Sequence, residues 1–511
     1  MNFIAPGHES SPDPDFAPEQ MRAWLSALPQ HDAAAAAAAL IERMVAFNRA
    51  DLQPRARLRT LEMLRDHVEG LVPLLERRLA TAAPPLSGPM RQTAYLIEKL
   101  FKELAAGYAR AVLSVPRSWL NIGYRSQLQT PLVRAMDYHA RRLSLAQRLY
   151  ARSPGAVWAE MHRLFQLARG WRIEEERLES PRRSPLDVYR SSLLLAFAQP
   201  SKLTRDEYEL LQDYVARHAD LAEIAPPAPV ADPACVFAID PLRDRPGVAY
   251  AKRHDAKFEN GSLLLRTGRL VERLELQLRR LREGVAAASL GLPDEAGSLA
   301  YQEMLRRLHS HWRGDRAVRS ARAKFHPRVD AWIGLRDIWR ALRAELPNDR
   351  PREQAAADPP TRATEWIVLN ESSRGFALRH MSGAAPPVQV GELVAIKPRD
   401  RGSIYVCLVR WVQSNNPEHL EVGLQQLAPV AEPAVYRPSD TERAAPEPIL
   451  FFPQLPAQRK AAAIAAPPDR LRANDPLSLR HRRGQLNLRA ARLIEKTPSV
   501  ELIEVSAAEP A

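Results

Sequence analysis

The spacing of apolar residues changes near residue 324, and this change constrains the fold more than any other feature of the chain. Before it, apolar residues recur every three to four positions, which is typical of amphipathic helices. After it, apolar and polar residues alternate in short runs separated by Gly, Pro and Asn, which is typical of β-strands. The sequence therefore predicts a helical N-terminal part and a β-rich C-terminal part.

The helical part is expected to form an all-α bundle or solenoid over residues 17–323. Within it, Thr204 stands three positions before Glu207, which is the spacing of a capping box at a helix start. A Pro-rich stretch at 225–247 is predicted to be an irregular insert with a short strand. Residues 1–16 lack the basic and apolar segments of a signal peptide and are predicted to be disordered.

The β-rich part divides into two segments. Residues 324–430 hold several short alternating runs, including "VDAWIGL", "TEWIVLN" and "GELVAIKP", and are predicted to form a small antiparallel barrel. A linker at 431–445 precedes a second β-rich domain at 446–507. The strings "RGSIYVCLVRWVQ" and "RGQLNLRAARLIEK" carry Arg410 and Arg492 at matching positions, each followed by two large apolar residues. This internal echo favours a duplicated barrel.

Composition limits the classes of partner. The formal net charge is +13, which favours either a polyanionic partner or an Arg-rich solvated surface. Cys235 and Cys407 have no nearby cysteine, so neither a disulfide framework nor a zinc site is expected. No run of about 18 apolar residues occurs, so membrane insertion is not expected. These features together predict a cytoplasmic location.

The motifs of common enzyme classes do not occur. The chain has no G-x-x-x-x-G-K-[ST], no G-x-S-x-G and no H-E-x-x-H, and no G-x-G-x-x-G follows a strand. Its carboxylates lie at helical spacings from arginines, which is typical of surface ion pairs. We therefore predict no catalytic residues, no metal and no cofactor.

The segment "NESSRGFAL" admits two interpretations. Asn370 ends one predicted strand and Gly375 begins the next, so the segment is consistent with a hairpin turn in which Gly375 supplies a positive φ. The same residues could also bind a ligand. The Asn370 amide offers a donor and an acceptor to a purine edge, Ser372 offers a hydroxyl, and a glycine lets a planar ligand approach the backbone.

Residues Lys324–Leu427 resemble the PilZ domain family. The resemblance rests on four motifs that follow one another in the chain: N-x-S-x-x-G, "GELVAIKP", "VRW" and "LEVGLQQL". The resemblance implies a six-stranded β-barrel that binds the bacterial second messenger cyclic di-GMP. The family motif D/N-x-S-x-x-G holds guanine, which assigns that role to Asn370, Ser372 and Gly375. The helical region is similar to one that precedes degenerate PilZ barrels in proteobacterial proteins.

The second motif of that family is R-x-x-x-R, just before the first strand, where its arginines clamp phosphates and guanine. Here "KFHPR" offers Lys324 and Arg328, in which one arginine is replaced by lysine. A true R-x-x-x-R exists at Arg336 and Arg340, but its spacing of four on a predicted helix favours a solvated helix face. The predicted site therefore consists of Lys324, Arg328 and the three hairpin residues.

Two functions follow from these observations, and a third, nucleic-acid binding, is disfavoured. The first is a non-catalytic cyclic di-GMP effector that regulates motility, pili or biofilm through its helical domain and an unidentified protein partner. The alternative is a degenerate PilZ scaffold that binds no nucleotide and acts through protein partners, favoured by the altered arginine motif. Nucleic acid is not expected as a partner, because the barrel aromatics lie at positions more typical of a core: Trp366, Phe376, Tyr405 and Trp411.

Overall fold

The computed structural model describes residues 16–29, 31–114, 125–178, 182–252, 258, 260–314, 327–345, 363–372, 374–381, 387–399, 402–416, 419–428, 430–436, 446–454, 461–472, 474–481 and 484–507. Within these residues the chain forms a helical region followed by two closed six-stranded antiparallel barrels. The helical region and the six-stranded antiparallel barrel predicted from the sequence are therefore both confirmed.

Ten helices precede the first barrel within the described residues. They are α1 (Pro18–Ser26), α2 (Ala33–Arg49), α3 (Pro54–Arg77), α4 (Gly88–Leu113), α5 (Arg125–Arg148), α6 (Val157–Trp171), α7 (Pro185–Phe197), α8 (Arg205–His218), α9 (Gly268–Arg282) and α10 (Leu299–Arg313). Their apolar faces share one core. In the described ranges, no helix has the length and apolarity that a membrane crossing requires.

Side chains close the helix ends as the sequence predicts. The Thr204 hydroxyl accepts the Glu207 backbone N–H at 3.2 Å, and the Glu207 carboxylate accepts the Thr204 N–H at 2.9 Å. This reciprocal pair is the predicted capping box, and it satisfies two otherwise unpaired N–H groups at the start of α8. Ser87 likewise accepts from the Met90 N–H at the start of α4.

A small sheet that the sequence did not predict lies within the helical region. Its strands are β1 (Glu223–Ala225), β2 (Val236–Ile239), β3 (Val248–Ala249) and β4 (Leu263–Arg266), in the order β1-β4-β2-β3. The predicted short strand at 235–239 is present as β2. Leu263–Arg266 lies outside the Pro-rich insert, in the part of 17–323 that was predicted to be all-α, and this prediction was wrong for these four residues. A short apolar run such as "LLLR" fits a buried strand as well as a helix, and the distant strands on both sides of it decide the outcome.

The first barrel contains β5 (Arg328–Ile333), β6 (Thr364–Ser372), β7 (Gly375–His380), β8 (Leu393–Pro398), β9 (Tyr405–Asn416) and β10 (His419–Ala428). Its strands close in the order β10-β7-β6-β5-β8-β9. Alternate residues of each strand fill the interior, among them Trp366, Leu378 and Val409. Burying one such side chain contributes roughly 1.5–3 kcal/mol.

The second barrel contains β11 (Glu432–Tyr436), β12 (Glu447–Phe452), β13 (Ala463–Ala466), β14 (Pro476–His481), β15 (Gly484–Lys496) and β16 (Glu501–Ala507). Its closed order is β11-β12-β13-β16-β15-β14. Strand for strand, this is the order of the first barrel, and the echoed Arg410 and Arg492 both lie on the fifth strand. The predicted duplication is thus present in the topology. Strand β11 lies inside the stretch 431–445 that the sequence assigned to a linker.

Helix α11 (Leu335–Ala344) lies between the two barrels. It follows β5 and buries Ile338 and Leu342 against apolar residues of both barrels, such as Leu393 and Leu450. The Trp339 indole also donates to a backbone carbonyl of β11 at 2.7 Å. The two barrels therefore share a core, which fixes the second barrel on the back of the first.

The helical region contacts the first barrel through Tyr150, which follows α5 with a φ of 55°. The Tyr150 ring belongs to the apolar cluster of the first barrel, while its hydroxyl donates to the Leu203 carbonyl of the helical region at 2.9 Å. The Tyr150 carbonyl accepts the Ser414 N–H of β9 at 2.9 Å. A second seam bond joins the Val388 N–H to the Pro84 carbonyl at 2.7 Å. These contacts tie the barrel to the helices.

Candidate functional site

The hairpin of β6 and β7 carries the Asn-x-Ser-x-x-Gly residues on the outside of the first barrel. Asn370 lies opposite Ala377, and Ser372 lies opposite Gly375. Phe376, between these two residues of β7, fills the barrel interior. Because neighbouring residues of a strand face opposite sides, Asn370 and Ser372 lie on the outer face. The structure thus brings the three hairpin residues together on one surface.

The sequence predicted that Asn370 ends its strand, and this prediction was wrong. Strand β6 continues through Ser372, and its register with β7 shifts between Val368 and Asn370. A bulge of this kind inserts one unpaired residue and changes the direction in which the following side chains point. Among the described residues, the half-buried Asn370 amide has no hydrogen-bond partner. Its donor and acceptor are therefore open to a ligand.

Gly375 is required for a different reason than the sequence suggested. It is not among the glycines with a positive φ, so that prediction was wrong. A Cβ atom at this position would lie 1.9 Å from the Leu424 carbonyl oxygen of β10. The Ser372 hydroxyl donates to the Gly375 carbonyl at 3.2 Å and accepts the Arg374 N–H at 3.4 Å. Close strand packing and a hydroxyl-braced turn therefore define the hairpin.

Two arginines meet at one carboxylate beside this hairpin. Arg328 begins β5 opposite Ile367 of β6, and its Nη1 lies 3.0 Å from Glu365 Oε1. Arg399 Nη1 lies 3.2 Å from the same oxygen, and Arg399 Nη2 lies 3.0 Å from Asp330 Oδ1. The hydrogen bond and charge of Asp330, followed by those of Glu365, raise the pKa of Arg399, so this guanidinium stays charged. Two cationic forks are thus held side by side at the surface.

The other predicted arm residues fall elsewhere. Lys324 lies outside the described residues. Arg336 and Arg340 lie on α11, and Arg340 Nη1 pairs with Asp337 Oδ1 at 3.3 Å. Helix α11 leaves the end of β5 opposite to Arg328, so this R-x-x-x-R does not face the hairpin. Sequence reasoning missed Arg399. The only local signal for it is a basic turn, "KPRDRG", directly after a strand.

A further charged group lies on the same outer face. Ile367 of β6 lies between Arg328 of β5 on one side and Arg379 of β7 on the other. The backbones of the two arginines are therefore about two strand spacings, roughly 10 Å, apart. Arg379 Nη2 lies 2.8 Å from Glu421 Oε1, and His419 Nε2 lies 3.0 Å from that oxygen. Burial acts to raise the pKa of Glu421, but the hydrogen bonds from Arg379 and His419 hold it below its usual value.

Small residues and one indole line the face next to the hairpin. Ala377 lies opposite Gly423 of β10, and Gly423 lies opposite Trp411 of β9. A Cβ atom at Gly423 would lie 1.7 Å from Trp411 Nε1, so the indole covers this glycine. Trp366 and Phe376 are interior residues, as predicted, at 1% and 6% exposure. The prediction of a core position for Trp411 was wrong, because its strand register places it on the outer face over Gly423. The outer face therefore combines a shallow apolar floor with hydrogen-bonding and cationic edges.

The second barrel lacks an equivalent hairpin. In the first barrel only Ser373 and Arg374 separate β6 from β7, whereas ten residues, 453–462, separate β12 from β13. The segment 446–507 also contains no Asn-x-Ser-x-x-Gly. The duplication thus conserves the strand order, but the described residues of the second barrel form no polar hairpin of this kind.

The described side chains offer no metal-binding group. No cluster of three or more His, Cys, Asp or Glu side chains that could hold a metal ion occurs among them. Cys407 lies fully inside the first barrel, where burial raises the pKa of its thiol. What the outer face can do is bind: the Asn370 amide can pair with a planar polar ligand, and the arginines can pair with anions.

Comparison with known proteins finds similarity to one group of receptors in both parts of the chain. The family described as "Cyclic-di-GMP receptor FimW, N-terminal domain" matches residues 19–229. The family described as "Cyclic-di-GMP receptor FimW, middle PilZ domain" matches residues 340–433, which include the whole hairpin. The cyclic-di-GMP receptor FimW of Pseudomonas aeruginosa is 25% identical over 489 residues, which cover 82% of this chain and 78% of that protein.

Proposed function

We propose that this chain, a member of the PilZ domain family with the helical region of the FimW receptors, is a cytoplasmic, non-catalytic effector that binds cyclic di-GMP. The single observation that carries the proposal is that the hairpin and a pair of arginines occupy one outer face of the first barrel. The ligand contains planar guanines and anionic phosphates, and this face offers a partner for each.

The guanine contacts are assigned to the hairpin. The Asn370 amide can donate to and accept from a purine edge at once, and the Ser372 hydroxyl can join it while bracing the turn. Gly375 keeps the turn closely packed against β10. The apolar floor next to the hairpin, made by Ala377 and by Trp411 over Gly423, supports the flat face of a base.

The phosphate contacts are assigned to arginines at the other end of the face. Arg328 and Arg399 present planar forks that match phosphate oxygens in two-point contacts. Lys324, which precedes Arg328 in the chain, adds a third cation to this proposal. Arg399 thereby replaces the arginine that the altered R-x-x-x-R motif lacks. The exposed fractions of Arg328 and Arg399, 59% and 50%, leave both side chains room to turn from Glu365 toward a ligand.

The output is assigned to the helical region. The seam at Tyr150 and Pro84 joins that region directly to the barrel. A ligand that binds one arrangement of barrel and helices more tightly shifts the population toward it. Through this shift the helical region would engage an unidentified protein partner and regulate motility, pili or biofilm.

Binding measurements on the full chain test the site. Cyclic di-GMP is titrated into the native chain and into the variants Asn370→Ala, Arg328→Gln and Arg399→Gln. Each variant loses a hydrogen bond or a charge-assisted pair, so each should raise the Kd roughly tenfold or more. Arg336→Gln is the matched control, because Arg336 lies on α11 and should leave the Kd unchanged. Equal affinity in all four variants would contradict the site.

A second function is favoured by the same arginine pair. In the structure Arg328 pairs with Glu365, and Arg399 pairs with both Glu365 and Asp330. The charges of both arginines are therefore neutralised without a ligand. A barrel of this kind fits an interaction scaffold that binds no nucleotide. The native chain decides between the two functions: the scaffold predicts no measurable binding of cyclic di-GMP, whereas the receptor predicts saturable binding.

A further inference from the structure

A cleft of about 630 Å³ opens in the helical region between α4, α5 and the start of α6. Its lining residues precede the hairpin of the first barrel by about 200 positions or more in the sequence. Cationic side chains from all three helices line it. They are Lys102, Arg110, Arg142 and Arg163. Like charges that converge on one cavity repel each other unless an anion or an acidic side chain offsets them. The charge balance of the cleft therefore decides what it can hold.

Acidic side chains neutralise two of these cations. Arg142 donates to Glu98 Oε1 from Nε at 2.9 Å and from Nη2 at 2.7 Å. Arg163 donates to Glu160 Oε2 from Nε at 3.1 Å and from Nη2 at 2.5 Å. Asp244 is also close, but it accepts three backbone N–H groups at the start of α6 and is therefore already engaged.

The other two cations have no acidic partner in the described part of the chain. The Arg110 guanidinium donates to the neutral Asn48 carbonyl at 2.7 Å and forms no ion pair there. Lys102 forms neither an ion pair nor a hydrogen bond within the same residues, and it stands eight positions, about two helical turns, before Arg110 on α4. Two cations on one wall of the cleft therefore have no ion-pair partner among the described residues.

A buried histidine adds a neutral donor. His139 is only 5% exposed, and its Nδ1 lies 3.2 Å from Arg142 Nη1. Because a guanidinium only donates, Nδ1 accepts and the ring hydrogen is on Nε2. Burial, and then the charges of Arg142 and Arg163, lower the pKa of His139 to about 3, so the ring is neutral near pH 7.

Apolar residues lie beside the two cations on the same face of α4. Ala106, Ala109 and the 45% exposed Leu113 line the cleft on the same helix as the two unpaired cations. A single phosphate would leave most of this volume empty, whereas pockets of 300–1,000 Å³ are typical for small organic ligands. The wall can cover the apolar face of a ligand whose charged end meets Arg110 and Lys102.

We propose that this cleft binds a small phosphorylated molecule of nucleotide size, with its phosphates on Lys102 and Arg110 and its organic body against Ala106, Ala109 and Leu113. Arg142 and Arg163 remain with their carboxylates and shape the positive potential. The site is separate from the barrel hairpin and does not depend on cyclic di-GMP binding there. It gives the helical region a ligand of its own.

Calorimetric titration of the full chain with ATP at about 0.15 M salt tests the proposal. The native chain binds ATP saturably, and Lys102→Gln and Arg110→Gln each raise the Kd roughly tenfold. Lys102 is exposed, so its variant keeps the fold even if Arg110→Gln does not. Arg280→Gln, which removes an exposed arginine paired with Glu283 on α9, is the matched control and leaves the Kd unchanged.

Two further arms separate this site from others. Ser372→Ala in the barrel hairpin should bind ATP like the native chain, and a loss of binding in that variant would place the ligand on the barrel instead. Inorganic tripolyphosphate should bind more weakly than ATP, because it lacks a body for the apolar wall, and equal affinity would overturn that assignment. Absence of ATP binding, or equal Kd values for the native chain, Lys102→Gln and Arg110→Gln, would overturn the proposal.

Discussion

Arg410 of the first barrel and Glu495 of the second form a two-point ion pair across the junction of the barrels. Arg410 Nη2 lies 2.8 Å from Glu495 Oε2, and Arg410 Nη1 contacts Glu495 Oε1. The Arg410 Nε also donates to Gln425 Oε1 at 2.5 Å, and Gln425 lies opposite Gly375 of the hairpin. A continuous set of contacts therefore leads from the candidate site to the second barrel.

The first prediction concerns this pair. A double-mutant cycle with Arg410→Ala and Glu495→Ala should give a coupling free energy of about 1 kcal/mol, because the contact is bidentate and partly buried. Chemical denaturation of the four chains measures it. The Arg492–Glu504 pair is the control. Both residues belong to the second barrel, Arg492 is 75% exposed, and their coupling free energy should be near zero. Equal couplings would contradict the account of the junction.

The second prediction concerns the closest strand contact at the hairpin. Gly375→Ala places a Cβ where the Leu424 carbonyl already lies, so β10 must move and the free energy of unfolding should fall by about 2 kcal/mol or more. Gly402→Ala in the same barrel meets nothing within 4 Å and should change stability by less than about 0.5 kcal/mol. Thermal or denaturant unfolding compares the two. A neutral Gly375→Ala would show that the contact is not tight.

Local sequence patterns predicted the barrels and the hairpin, because alternation and turn residues act over a few positions. They did not predict why Gly375 is a glycine, since the atom it must avoid belongs to Leu424 on a strand much later in the chain. The bulge before Asn370 also leaves no local signal, because it is a property of the pairing of two strands.

Arg399 could not be predicted for the same reason. It joins the site because β8 ends next to β5, where Arg399 reaches Glu365 and Asp330. The small sheet in the helical region was missed because Leu263–Arg266 is short and apolar throughout, so its period cannot separate a strand from a helix.

The third prediction concerns the seam between helices and barrel. Tyr150→Phe removes one hydrogen bond to the Leu203 carbonyl but keeps the ring in the barrel cluster, so it should cost about 1 kcal/mol. Tyr150→Ala also empties the ring site and should cost about 3–5 kcal/mol. Differential scanning calorimetry should then resolve separate transitions for barrel and helices in Tyr150→Ala. A single unshifted transition would contradict the role of Tyr150 as the tie.

The fourth prediction concerns acid. Burial lowers the pKa of His139 to about 3 and that of His311 to about 4, so both rings are neutral in the folded chain. Unfolding restores values near 6.5, so the unfolded chain takes up protons that the folded chain does not. Stability should therefore fall as pH drops below about 6.5, by at most about 1.4 kcal/mol per pH unit for each ring.

Denaturant unfolding between pH 4 and pH 7 checks this prediction. His139→Gln and His311→Gln should each flatten the slope, and the double variant should flatten it further. An unchanged slope in the double variant would show that the two rings do not control the acid sensitivity.

The outer face of the first barrel is the proposed ligand site, and one titration tests it directly. Isothermal titration calorimetry of the full native chain with cyclic di-GMP should give saturable binding that is micromolar or tighter. GTP is the control nucleotide, and any GTP bound in the cleft of the helical region should bind equally to the native chain and to Ser372→Ala. Ser372→Ala should weaken the binding of cyclic di-GMP roughly tenfold without unfolding the chain. No heat and no thermal shift at high ligand concentration would contradict the receptor function. The hairpin would then be a structural turn in an interaction scaffold.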